Sequence, residues 1–228
     1  MKVPPVLIAP SLLACDFTRI GEEVRSVEAA GADWLHVDVM DGHYVRNLTL
    51  GPPIVHAVHG VATRPLDVHL MVTNPLDLAP DYVQAGASVL TFHWEVADGV
   101  AGARRIIEGF RDCGVPQVGL AVDGATAVEP IRERLGEVDM VLIMSIQAGF
   151  GGQSFQPEKL EKTRWVRQQG FAGHVQMDGG ISPKNAALCR EAGANVLVAG
   201  TAIFKAPDRA QVIQELRGAP AACPSTGA

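Results

Sequence analysis

His36, Asp38, His69 and Asp178 are the side chains whose types and positions read together as a metal centre. Each lies at or near the C-terminal end of a short apolar run that reads as a strand, in WLHVDVM, PLDVHLM and GHVQMDGG. In a parallel barrel those ends face the mouth, where the chemistry is done. Alternate residues of a strand share a face, so His36, Asp38 and Met40 are expected to point the same way. Two imidazoles and two carboxylates can close around a divalent transition metal and still leave room for a substrate. A single His at a strand end is ordinarily a hydrogen-bonded polar residue. Four such residues at equivalent ends of three strands are hard to assign to packing.

The elements that must position them follow from the hydrophobic pattern. Eight apolar runs, VLIAP, WLHVDV, LDVHLM, SVLTFH, QVGLAV, DMVLIM, HVQMD and NVLVAG, are spaced along the chain. Between them lie stretches with apolar residues at helical spacing, such as TRIGEEVRSVEAAG, LDLAPDYVQAG, VAGARRIIEGFRDCG and PKNAALCREAG. Strands alternating with helices indicate a parallel sheet, and eight is the number that closes a (βα)8 TIM barrel. We expect a single catalytic barrel domain over residues 1–217 and a disordered tail over 218–228, where GAPAACPSTGA has no periodicity. An open doubly wound sheet fits less well, because no GxGxxG follows the first strand. AGAD at Ala30, AGAS at Ala85 and AGAN at Ala192 repeat one helix-to-strand junction, with Gly in the left-handed position that stops the helix.

Composition narrows the function class. A chain of 228 residues with 47% hydrophobic content can bury a large core. A net charge of -6 with scattered basic residues gives no footprint for nucleic acid or an anionic membrane. The N-terminal MKVPPVLIAP is too short and too interrupted by proline for a secretory segment, and no run is long enough to span a bilayer. Cys15, Cys113, Cys189 and Cys223 are far apart and unpaired in pattern, which suits reduced thiols in the cytoplasm.

Phosphate is the next signal. Glycine-rich segments follow three consecutive strands: Gly149-Phe150-Gly151-Gly152 after the sixth, Asp178-Gly179-Gly180 after the seventh, and Gly200-Thr201 after the eighth. Glycines let backbone N–H groups approach an anion, and helix N-termini add partial positive charge. Loops after strands seven and eight are the recurrent phosphate site of this barrel. One such loop would be an ordinary turn. Three together point to a phosphate-bearing substrate.

The segments APSLLACDF, HVDVMDGHYVRNLTLGP, LDVHLMVTNP, GFGGQSF, MDGGISPKN and AGTAIF together resemble the ribulose-phosphate 3-epimerase family, over most of the chain. The resemblance implies a (βα)8 barrel that interconverts ribulose 5-phosphate and xylulose 5-phosphate, as in the pentose phosphate pathway or the Calvin cycle. It implies metal ligation by His36, Asp38, His69 and Asp178, with Asp38 and Asp178 as the acid/base pair. It further implies substrate contacts at Ser11, His69, Gly149, Phe150, Gly151, Gly152, Asp178, Gly179, Gly180, Gly200 and Thr201, and assembly into a homo-oligomer. The mixed nitrogen and oxygen donors admit Zn, Fe(II), Mn or Co.

The chemistry suits these residues. Epimerising carbon 3 requires removing a proton beside the carbonyl and returning it from the other face, through an enediolate. Two carboxylates on different strands can flank the substrate, with their acid and base roles exchanging in the reverse direction. Two alternatives stay open: a 3-epimerase of a six-carbon ketose phosphate such as allulose 6-phosphate, and a catalytically silent sugar-phosphate-binding relative. A metal-free phosphate barrel, such as a decarboxylase or synthase, would need a lysine or a carboxylate cluster at strand ends, and none of the eight ends carries a Lys.

Other residues carry two readings each. Ser11 could cap a turn, the usual Ser role, or touch substrate. Met40, Met71 and Met144 could fill the core or roof the site. Asp41 and His43 could shape the mouth loop or support the metal. For His93 a structural hydrogen bond suffices. The chain departs from the family pattern at Arg46, Asp123, Gln147-Ala148 and Thr201, which bears on loop geometry and substrate preference.

Overall fold

The computed structural model describes residues 4–149 and 154–218. Among them, eight strands form one parallel sheet: β1 Leu7–Pro10, β2 Leu35–Met40, β3 Leu66–Met71, β4 Ala87–His93, β5 Gln117–Val122, β6 Met140–Met144, β7 His174–Asp178 and β8 Val196–Ala199. From β2 to β8 each strand pairs with its sequence neighbours, β1 pairs with β8, and an isolated parallel bridge from Ser11 to His36 joins the end of β1 to β2. The ring is therefore closed, as the eight-run pattern predicts.

Helices cover the outside: α1 Ile20–Ala29, α2 Pro52–His59, α3 Pro75–Gln84, α4 Gly99–Asp112, α5 Leu160–Gln168, α6 Pro183–Glu191, α7 Thr201–Phe204 and α8 Arg209–Arg217. Outward-facing Val37, Val39, Val68, Leu70, Leu90 and Phe92 pack beneath them in one buried layer. Phe110 of α4 meets Phe92 edge to face with ring centroids 5.6 Å apart. Burying each such side chain stabilises the fold by about 1.5–3 kcal/mol.

The three AGA junctions behave as expected. Gly31, Gly86 and Gly193 follow the last turns of α1, α3 and α6 with φ of 99°, 109° and 105°, a region that favours glycine. The link between β5 and β6 differs from the strict alternation. It holds a 3-10 helix over Glu129–Arg134 instead of an α-helix, with Pro130 at its start and Gly136 just beyond its end. Gly218 closes α8 in the left-handed conformation at φ 72°. The rest of the expected tail, 219–228, lies outside the described residues.

Inside the barrel the side chains are layered. Trp34, Val89, Met140 and Val196 lie toward the N-terminal ends of their strands and pack with Ala9 and Val198 in one apolar cluster. Two residues further along the strands come His36, Asp67, Thr91 and Gln176, all fully buried. Above them Asp38, His69 and Asp178 point toward the mouth, near the cluster containing Met40, Met71 and Met144. Among the described residues no helix is long and apolar enough to cross a membrane.

Candidate active site and metal centre

Strand periodicity delivers the four residues to one point. Asp38 pairs in register with His69 on the next strand, and His36 with Asp67. His36, Asp38, His69 and Asp178 each offer one ligand atom, and these atoms all lie within 4.8 Å of one another. His36 Nε2 is 3.3 Å from Asp38 Oδ1 and 3.9 Å from Asp178 Oδ2. His69 Nδ1 is 3.6 Å and 3.9 Å from the same two oxygens. A tetrahedral ion with bonds of about 2.0–2.1 Å needs ligand atoms roughly 3.3 Å apart, so the cluster fits with little closure. His36 Nε2 and His69 Nδ1 are buried and, among the described residues, have no hydrogen-bond partner. Orphaned buried nitrogens are costly unless something occupies their lone pairs, and a cation between two carboxylates does so.

Each imidazole is braced from behind. His36 Nδ1 lies 2.7 Å from Asp67 Oδ2, which also accepts from Gln176 Nε2 at 2.5 Å. His69 Nε2 lies 2.8 Å from His93 Nε2, and His93 Nδ1 lies 3.1 Å from Glu95 Oε2. With His69 Nδ1 turned to the cluster, its Nε2–H donates to His93, whose Nδ1–H donates to Glu95. One histidine is thus backed directly by a carboxylate and the other through a second histidine, which fixes tautomer and ring orientation. Tyr44 Oη closes the second arm, 2.9 Å from His93 Nδ1 and 3.4 Å from Glu95 Oε2.

The two carboxylates of the cluster are driven apart in proton affinity. Burial pushes Asp178 up to about 7, with the Asp38 charge adding to it. Asp38 is also desolvated, but the adjacent His36 and His69 outweigh burial and hold it well below the usual carboxylate range. Burial lowers His69 to about 4, so its imidazole is neutral. Burial disfavours a charged His36 as well, but Asp38 and Asp67 overcome it and shift the group upward. The cluster thus favours positive charge between its acids. Paired acids in unequal environments are a recurring arrangement for acid/base work.

Ser11 lines the cavity above the cluster and does not cap the 3-10 turn that it precedes, Leu12–Ala14. Its Oγ instead donates to Asp38 Oδ2 at 2.6 Å.

A cavity of about 630 Å3 opens above the cluster, with Asp38 and Asp178 in its floor. Met40, Met71 and Met144 are buried and line it. Gly179, Gly180, Gly200 and Thr201 line its far end, and Gly149 its rim. His69 is fully buried below. Phe150, Gly151 and Gly152 lie outside the described residues. Asp41 shapes the loop: its carboxylate accepts from the backbone of His43, Tyr44 and Thr73 at 2.8 Å each. His56 and His59 sit exposed on α2.

The profile of the ribulose-phosphate 3-epimerase family matches residues 7–204. The chain belongs to that family. It is accordingly an enzyme of the epimerase type. It is 46% identical over 215 residues to the ribulose-phosphate 3-epimerase of Mycobacterium tuberculosis (strain ATCC 25618 / H37Rv), covering 92% of this chain and 91% of that protein. It is 42% identical over 216 residues to the one from Synechocystis, covering 93% of each. Among solved structures, orotidine 5'-phosphate decarboxylase from Pyrococcus horikoshii OT3 superposes with a TM-score of 0.68 at 16% identity, over 93% of this chain and 100% of that one. KGPDC from Streptococcus mutans gives 0.67 at 12%, over 95% and 97%. These two likenesses show the fold alone.

Sequence reading passed over Asp67, Gln176, Glu95 and Tyr44 in this epimerase. The signal was present for two of them. Asp67 stands two residues before His69, and Gln176 two before Asp178, so each shares its ligand's inward face. Glu95 and Tyr44 lie in loops, where no periodicity marks them.

Proposed function

We propose that the enzyme interconverts ribulose 5-phosphate and xylulose 5-phosphate by moving the proton of carbon 3 between substrate, Asp38 and Asp178. The observation that carries this reading is the pair of acids with opposed proton affinities in the floor of one cavity. The pentulose phosphate rests on the names of the relatives. Asp38, held ionised, is the base for one direction. Asp178, whose carboxyl burial raises toward neutrality before any metal binds, exchanges the proton at the other face, and the roles exchange in reverse. The strands that carry them, β2 and β7, are three places apart around the ring, so the acids approach the substrate from different sides.

Removing the proton leaves an enediolate with charge on the oxygens of carbons 2 and 3. A divalent transition metal (Zn, Fe(II), Mn or Co) held by His36, Asp38, His69 and Asp178 would supply Lewis acidity toward that charge. Ser11 donates to Asp38 Oδ2 while Oδ1 faces the two histidines, so the oxygen that moves the proton is distinct from the one in the cluster. Backbone N–H groups at Gly179, Gly180 and Gly200, with the Thr201 hydroxyl, take the phosphate at the start of α7. Met40, Met71 and Met144 present apolar surface to the cavity, which would limit water beside the enediolate.

The test is a coupled assay on ribulose 5-phosphate with elemental analysis, before and after chelation. Turnover that vanishes with the metal and returns on reloading supports the reading. Full turnover by metal-free protein removes the metal from it, and no turnover of ribulose 5-phosphate by loaded protein removes the substrate.

A further inference from the structure

Asp123 follows β5, outside the metal cluster, yet every polar atom it owns is committed. Its Oδ2 accepts from Ala148 N at 3.1 Å and its Oδ1 from Ala125 N at 3.0 Å. Its amide donates to Glu95 Oε1 at 2.8 Å, and its carbonyl accepts from Lys162 Nζ at 2.7 Å. Lys162 also donates to Gly124 O at 2.8 Å. The turn is pressed against the chain it serves: a Cβ on Gly124 would lie 2.9 Å from Ile146 O.

Ala148 and Gly149 are what this turn holds. Ala148 is buried, so its N–H needs a partner, and a carboxylate is the stronger kind of acceptor. Gly149 forms part of the cavity wall. Its other side is fixed by the loop after β2, where Asn47 Nδ2 donates to Gly149 O at 3.4 Å. A Cβ on Gly149 would fall 2.9 Å from Val45 Cβ. Glu95 meanwhile divides its oxygens, Oε2 to His93 behind the metal ligand His69 and Oε1 to the Asp123 amide.

We infer that Asp123 is a positioning residue, tying the Ala148–Gly149 wall of the substrate cavity to the Glu95 carboxylate that backs the metal centre. Glu95 serves both the metal arm and the wall; Asp123 serves the wall alone. The inference rests on the cavity being the ketose phosphate site, and it separates two kinds of damage. Losing Asp123 loosens substrate binding while leaving metal and acids in place. Losing Glu95 disturbs both.

The experiment compares Asp123→Ala, Asp123→Asn and Glu95→Gln in the metal-loaded enzyme. Asp123→Ala should raise KM for ribulose 5-phosphate on the order of tenfold, with kcat and metal affinity near wild type. Asp123→Asn keeps an oxygen for the Ala148 amide and should recover most of that KM. Glu95→Gln should weaken metal affinity and raise KM together. Hydrogen exchange at the Ala148 amide supplies a readout without substrate: slow in wild type and in Asp123→Asn, at least about tenfold faster in Asp123→Ala. An unchanged KM in Asp123→Ala, or a parallel loss of KM, kcat and metal, overturns the positioning role. So does fast exchange at Ala148 in wild type, which decides the matter even if Asp123→Ala does not fold. Should loaded wild type ignore ketose phosphates, the function reading fails, and exchange at Ala148 still decides on Asp123.

Discussion

Ser11 Oγ donates to Asp38 Oδ2 at 2.6 Å, while Asp38 Oδ1 faces His36 Nε2 at 3.3 Å. The two oxygens of one carboxylate therefore have separate tasks. A carboxylate that both holds a metal and moves a proton needs this division, and a residue from the end of β1 enforces it on β2.

Ser11→Ala removes the bond that orients the free oxygen. A hydrogen bond to a charged group is worth about 1.5–3 kcal/mol, so turnover should fall by roughly tenfold to a hundredfold. Metal content should stay near wild type, because Oδ1 is untouched. Measuring kcat per bound metal checks this; loss of metal in proportion to activity would place Ser11 in the metal site instead.

Asp38→Asn and Asp178→Asn keep shape and a carbonyl oxygen but remove the base. Each should lose epimerisation by roughly two to four orders of magnitude per bound metal. One of them should still exchange the carbon 3 proton from a single epimer, seen in deuterated water as label without inversion. Normal inversion by metal-loaded Asp178→Asn would rule out the two-carboxylate mechanism.

Asp67→Asn tests the brace behind His36. The carboxylate that accepts from His36 Nδ1 and Gln176 Nε2 becomes a neutral amide. Metal affinity should drop by about tenfold to a hundredfold, the range found for outer partners of metal ligands. His36→Ala should drop it further. A competition titration with a chelator gives both numbers, and equal affinity in Asp67→Asn and wild type would leave the brace without a role.

The metal-free protein should show the burial of Asp178 in its pH dependence. Its carboxyl is raised from 3.8 to about 7, so between those values the folded chain holds a proton that the unfolded chain has lost. That contribution is fully present below about 3.8 and is lost as pH rises through about 7. Relative to Asp178→Asn, the wild-type apo protein should therefore lose thermal stability across this window. Parallel curves for the two proteins would show that the acid is not held protonated.

Gly179 has φ 117°, and a Cβ there would lie 2.5 Å from the Ile146 side chain. Gly179→Val should raise KM for the phosphorylated substrate, because the N–H groups of the turn can no longer approach the anion. Steady-state assays with ribulose 5-phosphate and ribulose compare the two. Equal turnover of both sugars by wild type would remove the phosphate role of this loop.

The sequence by itself determined the barrel and the four cluster residues. Strand period and helix-stopping glycines are local signals, and both His36–Asp38 and the AGA junctions can be read within a few residues. The missing α-helix after β5 was harder to read, since a 3-10 stretch and an α-helix share similar composition. Only the tertiary structure decided which nitrogen of each histidine faces the cluster, Nε2 for His36 and Nδ1 for His69. That choice depends on what braces the other nitrogen, and the braces come from afar: Asp67 is 31 residues from His36, and Gln176 is 109 from Asp67. The Asp123–Ala148 bond spans 25 residues and the whole of β6. Such pairings are set by the closure of the barrel, which brings together loops that carry no periodic mark in the chain.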